Sequence, residues 1–163
     1  MFVVSDTSVV SNMAIVGLLD VLKNQCGTVT IPTAVERELS ALNREHAQAA
    51  IQSAIKSGWL IVAPLTVEEA AFALTLRLDP GESEAIALAK ARDATLLCMD
   101  ERRGRSQARA LGLPLVGILG LLLREKKDGR LAAIRPHLIR LVEESNFFIS
   151  ASLLSEALEL AGE

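Results

Sequence analysis

Phe2-Val3-Val4-Ser5-Asp6-Thr7-Ser8 sets three apolar residues, two of them β-branched, before a serine, an acid and two further hydroxyl side chains. The spacing predicts a short buried strand ending at Ser5-Asp6, then a helix capped by Thr7 or Ser8. Apolar residues recur through Ile15, Leu18, Leu19 and Leu22, as the inward face of such a helix requires. The stretch Thr95 to Met99 repeats the device: a continuous apolar run that ends at Asp100 and leads into an arginine-rich helix over about Glu101–Leu111. Two strands therefore hand over to an acid at their carboxyl ends.

The rest of the chain fits around these two. Thr28–Ile31, Trp59–Ala63 and the short Leu115-Val116 read as further strands. Pro32 suits the first turn of a helix running to about Leu42, and Glu45–Lys56 is a second helix, ended by Gly58. Thr66 with Glu69 three residues later has a capping-box pattern, and Asp79-Pro80-Gly81-Glu82 opens another helix in the same way. After Val116 only helical patterns remain, at about Ile118–Lys126, Leu131–Glu143 and Ser150–Leu160. Alternating strands and helices imply an α/β fold: a central parallel sheet flanked by helices on both faces, with extra C-terminal helices. The expected organisation is one domain over residues 1–163, with a core at 1–130 and a helical extension at 131–163.

Half of the 163 residues are apolar, enough for a substantial core, and aromatics are scarce. The mean hydropathy is high for a soluble monomer, which points to apolar surface covered by a partner or a second copy. A net charge of −3 means that attraction to phosphates must be local or mediated by metal. Cys26 and Cys98 lack zinc-site spacing and read as buried free thiols, and His46 and His137 are isolated. No targeting segment is visible, and the longest apolar stretch, Leu111–Leu123, is too short to span a bilayer. The expectation is a cytoplasmic protein with no membrane contact.

In open α/β sheets, ligands bind beyond the carboxyl ends of the strands, which makes Asp6 and Asp100 candidates for a site. Each could equally serve only to cap the helix that follows it, Asp6 at Ser8 and Asp100 at Arg102. Glu82 shares its helix side with Ile86 and Ala89, whereas Glu84 lies about 200° away, so the two cannot line one site. Glu36 and Glu38 flank the inward stripe of Val35, Leu39 and Leu42, with Glu38 a little closer. Arg102, Arg105 and Arg109 share one helix face, and a solvated basic face competes with phosphate binding as their role. With no tyrosine and few other aromatics, no stacking platform for bases is evident.

Taken in order, these residues resemble a known family. Val4-Ser5-Asp6-Thr7-Ser8 resembles the opening of a PIN domain, and Val35-x-x-Glu38-Leu39 its second acid motif. Gly81-Glu82-Ser83-Glu84-Ala85-Ile86-Ala87-Leu88-Ala89 is similar to the third, and Cys98-Met99-Asp100-Glu101-Arg102-Arg103-Gly104-Arg105 to the fourth. Gly117-Ile118-Leu119-Gly120-Leu121-Leu122 resembles a prokaryotic branch similar to the VapC-type toxins of toxin–antitoxin pairs. Where those toxins usually carry Asp at the third position this chain has Glu82, and Glu101 with a run of arginines follows Asp100.

The resemblance implies a PIN-like three-layer fold and a hydrolase that cleaves RNA phosphodiester bonds. It implies a catalytic set of Asp6, Glu38, Glu82 and Asp100, with Mg²⁺ held by Asp6, Asp100 and Glu82 and replaceable by Mn²⁺. Glu101 is the nearby candidate for a further ligand. Arg102, Arg105 and Arg109 would contact the RNA, a small antitoxin would be the protein partner, and the chain would form a homodimer. The competing readings are a non-catalytic PIN-fold interaction module, and a metal-dependent DNA nuclease or phosphatase using the same acids.

Overall fold

The computed structural model describes residues 1–163. It contains five strands, β1 (Val3–Ser5), β2 (Val29–Pro32), β3 (Leu60–Ala63), β4 (Leu96–Cys98) and β5 (Leu115–Val116). All pair in parallel, in the order β3-β2-β1-β4-β5. The chain builds outward from β1 in one direction through β2 and β3, then returns to the other side of β1 for β4 and β5. The direction reverses between β1 and β4, and a crevice opens outside the carboxyl ends of strands at such a switch point.

Strand alternation distributes the core. Val3, Ile31, Leu60, Cys98 and Val116 face the larger of two hydrophobic clusters, which is filled by α1 (Thr7–Ile15), α2 (Leu19–Cys26) and α4 (Glu45–Lys56). Leu121 and Leu122 of α8 (Ile118–Lys127), Leu138 and Leu141 of α9 (Arg135–Glu144), and Ala157 and Leu158 of α10 (Ala151–Leu160) join the same cluster. Val4, Leu97 and Met99 point the other way, onto α6 (Pro80–Ala91) and α7 (Arg102–Ala110). The sheet is thus the middle layer of three, and the C-terminal helices pack on its more heavily covered face. The remaining helices are α3 (Thr33–Ser40) and α5 (Val67–Thr75). No helix is long and apolar enough to cross a membrane.

Several local expectations change. The cap of α1 is Asp6, whose carboxylate accepts the Val9 N–H at 3.0 Å, rather than Thr7 or Ser8. The apolar run from Val9 to Leu22 is two helices, because Gly17 takes φ +72°, a left-handed conformation that ends a helix and that glycine adopts without strain. Pro32 closes β2 and stands at the N-cap of α3, one residue before the helix's first turn. The Thr66/Glu69 capping box forms as expected, but the Asp79 side chain makes no capping bond to α6. Nor does Asp100 cap α7, whose N-cap is Glu101 with no side-chain bond. The helix expected from Leu131 starts only at Arg135. Cys26 and Cys98 are both buried and free.

Candidate active site

Parallel pairing of β1 with β4 sets Ser5 opposite Cys98 and bonds the Asp6 N–H to the Cys98 carbonyl at 3.0 Å. Asp6 and Asp100 therefore emerge side by side at the switch point. Asp6 is fully buried, and its carboxylate accepts from the Val9 N–H and the Ser8 hydroxyl. Burial pushes its pKa up to about 8 against those hydrogen bonds, and the charges of Asp100 and Glu82 push the same way. It is at once a helix cap and a buried acid beside two others.

Asp100 has a different setting. Its carboxylate turns to the start of α8, where both oxygens lie 3.2 Å from the Ile118 N–H. Burial raises its pKa to about 6, opposed by the Ile118 N–H and by Arg105, while Glu101 adds to the rise. The Arg105 guanidinium is itself held, donating to the Met99 carbonyl at 2.7 Å.

α6 brings in Glu82. Its Oε1 is buried without a hydrogen-bond partner, and burial, followed by the charges of Glu101 and Asp79, raises its pKa. Glu84 does point elsewhere: its carboxylate accepts the Ala34 N–H at 2.9 Å, holding α3 to α6. Glu38 of α3 accepts the Thr7 hydroxyl, and its Oε1 accepts the Gly81 N–H at 3.0 Å. Asp6, Glu38, Glu82 and Glu101 line one open pocket of about 500 Å³ whose eleven lining residues include no hydrophobic one. Asp100 lies in an adjoining groove with Arg102, Arg105, Arg109 and Arg124. Asn12, Glu101 and Asn146 line both, so pocket and groove are continuous.

Three glycines leave room for three of the acids. A Cβ on Gly117 would overlap the Asp100 carboxylate, and one on Gly81 would overlap that of Glu38. One on Gly104 would come within 2.6 Å of both Glu82 Oε1 and Met99 Sδ. The glycines of the sequence motifs thus act by their missing side chains.

The orphaned Glu82 oxygen and a wall rich in carboxylate, hydroxyl and amide oxygens suit a hard divalent cation. No three acidic, histidine or cysteine side chains are gathered tightly enough to enclose an ion as they stand. Asp6, Glu38 and Asp100 each accept from a neighbouring N–H or hydroxyl, while Glu82 Oε1 accepts from none. Sequence reasoning missed Thr7, Ser8, Asn12 and Asn146 as wall residues. Ser8, Ser11 and Asn12 are spaced three and four apart on α1, a polar stripe that marked a face turned to the site.

A parallel α/β sheet with carboxylates gathered at its switch point defines a class of acid-site PIN folds. The chain belongs to the PIN-domain family DUF3368, whose pattern matches residues 2–163. The structure is similar to a PilT N-terminus domain protein, SSO1118, from the hyperthermophilic archaeon Sulfolobus solfataricus P2, with 24% identity and a TM-score of 0.50, over 75% of this chain and 91% of that one. It is also similar to VapBC2 from Rickettsia felis, solved bound to a DNA fragment from its promoter, with 18% identity and a TM-score of 0.53, over 72% of this chain and 98% of that one. At these identities the likeness is one of fold. No curated protein matches the sequence.

Proposed function

We propose that the chain is a divalent-metal-dependent endoribonuclease of the VapC type, working as one unit over residues 1–163. The observation that carries this reading is the convergence of Asp6, Asp100 and Glu82 at the switch point, with Glu82 Oε1 buried and unpartnered. Mg²⁺, or Mn²⁺ in its place, would be held by Asp6, Asp100 and Glu82. When bound, such an ion activates water and offsets charge developing on the phosphoryl oxygens. Glu38, fixed by Thr7 and Gly81, is a positioned acceptor that orients water at the pocket's edge. Arg102 and Arg109 supply phosphate contacts, and Arg105 holds positive charge beside Asp100.

The reading extends to assembly. The similar Rickettsia structure is a VapBC assembly. A small antitoxin is the proposed partner here too, the cytoplasm the proposed compartment, and a homodimer the proposed state. Exposed Ile139, Val142, Leu153 and Leu160, all in the C-terminal helices, offer apolar surface for one of these contacts.

The test compares wild type with Asp100→Asn on total RNA, single-stranded DNA and a phosphomonoester, each with Mg²⁺, Mn²⁺ or EDTA. Cleavage of RNA alone that needs metal and is lost in Asp100→Asn supports the proposal. Preference for DNA or the phosphomonoester makes the site a different hydrolase. Absence of cleavage, together with no rise in melting temperature on adding either ion, makes the fold a non-catalytic interaction module.

A further inference from the structure

Phe147 and Phe148 adjoin in the chain but differ in the fold. Phe147 packs against the larger core and ties down the segment between α9 and α10. Phe148 is 86% exposed. The residue lines the groove that also holds Asp100, Arg102, Arg105, Arg109 and Arg124. Core packing accounts for the first aromatic and leaves the second without a role.

The groove's makeup says what such a ring would meet. Guanidinium groups from α7 and α8 gather positive charge there, although the whole chain carries −3. A chain of phosphates is the complement of that wall. Asn146, two residues before Phe148, lines both the groove and the acid pocket, so a strand lying on the arginines reaches the carboxylates without a break. A flat apolar ring beside a phosphate-binding wall suits the face of an unpaired base, which a duplex keeps stacked inside.

We infer that Phe148 is a stacking platform for one nucleobase of single-stranded RNA whose backbone runs along the arginine wall into the acid pocket. The inference rests on the ribonuclease reading and names its substrate as unpaired RNA. Phe147 acts as the anchor that holds the platform in place. The neighbouring exposed Leu153 borders the same groove and gives the base an apolar edge.

The experiment measures binding of a fluorescein-labelled, unstructured oligoribonucleotide to the full chain in EDTA, where cleavage is stopped. Phe148→Ala weakens binding about tenfold, the size of one lost base stack, and Phe148→Trp restores it. Bound RNA quenches the new tryptophan in Phe148→Trp, which a purely structural role would not produce. Val67→Ala, exposed on α5, is the control and binds as wild type. With Mg²⁺ present, Phe148→Ala raises KM and leaves kcat within about twofold. A wild type that cleaves RNA while Phe148→Ala keeps both affinity and KM overturns the stacking role and leaves the groove to a protein partner. A wild type that neither binds nor cleaves RNA overturns the ribonuclease reading, and the stacking role falls with it.

Discussion

The pocket at the end of β1 and the groove at the end of β4 share one switch point but differ in their balance of charge. The pocket's wall is acids, hydroxyls and amides with one proline; the groove's is four arginines set among leucines and phenylalanines, with Asp100 and Glu101 beside them. Asp6 sits in the first, fully buried and tied to its own helix, while Asp100 stands in the second, tied to a helix from further along the chain. The contrast teaches a division of labour. A cluster of like charges is useful only where a cation joins it, and a cationic wall only where an anion does. The proposed substrate bridges the two, so lesions on either side should fail in different ways.

The sharpest break is Asp6→Asn. Asparagine caps a helix about as well as aspartate, so α1 keeps its start while the pocket loses an ionisable ligand. Cleavage is expected to fall at least about a hundredfold through kcat, since metal-assisted charge stabilisation is worth several kcal/mol. The rise in melting temperature that Mg²⁺ gives the wild type should shrink in the same variant. Residual activity near wild type would place the chemistry elsewhere.

Next in size is a pH effect on the metal-free fold. Asp6 has a folded pKa of about 8 against an ordinary value of 3.8. A carboxyl whose pKa is raised on folding stabilises the fold below pH 3.8, and that contribution is lost as pH rises towards 8. Asp100, raised to about 6, adds to the loss over the lower part of that window. Denaturant titrations in EDTA should show stability falling from pH 4 to pH 8, with Asp6 alone accounting for at most about 5 kcal/mol. Asp6→Asn should flatten much of the slope, and Asp6→Ala should flatten it too while losing about 1 kcal/mol of capping. A wild type equally stable at both ends of the window would show that the acid is not held as its burial implies.

Much of this contrast was legible in the sequence, and for a definite reason. Val3-Val4 and Leu96–Met99 are apolar runs that must be buried, and the acid after each must stand at the sheet's rim. The separation of Glu82 from Glu84 also follows from helix periodicity alone, and the structure sends Glu84 to the Ala34 N–H. What periodicity misses is partner choice across the chain. Asp100 takes the N–H of Ile118, and Glu38 takes the Thr7 hydroxyl and the Gly81 N–H, which only the assembled fold brings near. Phe148 was missed for a related reason: its place in the groove depends on how α9 and α10 pack, and counting aromatics could not locate one of them.

A smaller effect tests the space around each acid. Gly117 has φ −106° and ψ 178°, a conformation open to alanine, so any cost of Gly117→Ala comes from its methyl group alone. That methyl overlaps the Asp100 carboxylate and lies 3.2 Å from Arg105 Nη1. Displacing Asp100 by about 1 Å should lower kcat roughly tenfold to a hundredfold, with a modest loss of stability. Gly104→Ala pits better helix propensity, worth about 1 kcal/mol, against contact with Glu82 and Met99, so it should cost activity more than stability. Unchanged kcat in both variants would show that these acids need no fixed placement.

The smallest effect belongs on the groove side. Arg109 is exposed near the C-terminal end of α7 and makes no ion pair, so its removal leaves nothing buried unsatisfied. If it contacts phosphate, Arg109→Ala loses one counterion-releasing contact. KM should then rise a few-fold while kcat holds, and the slope of log affinity against log salt should fall by about 1. Arg105→Ala should behave differently, because that guanidinium is bound to the Met99 carbonyl and faces Asp100. Its loss removes a charge that favours ionised Asp100, so the lower limb of the pH–rate profile should move to higher pH, with the salt slope little changed. A common salt slope for the two variants would erase the distinction between a wall that meets the substrate and a charge that serves the acids.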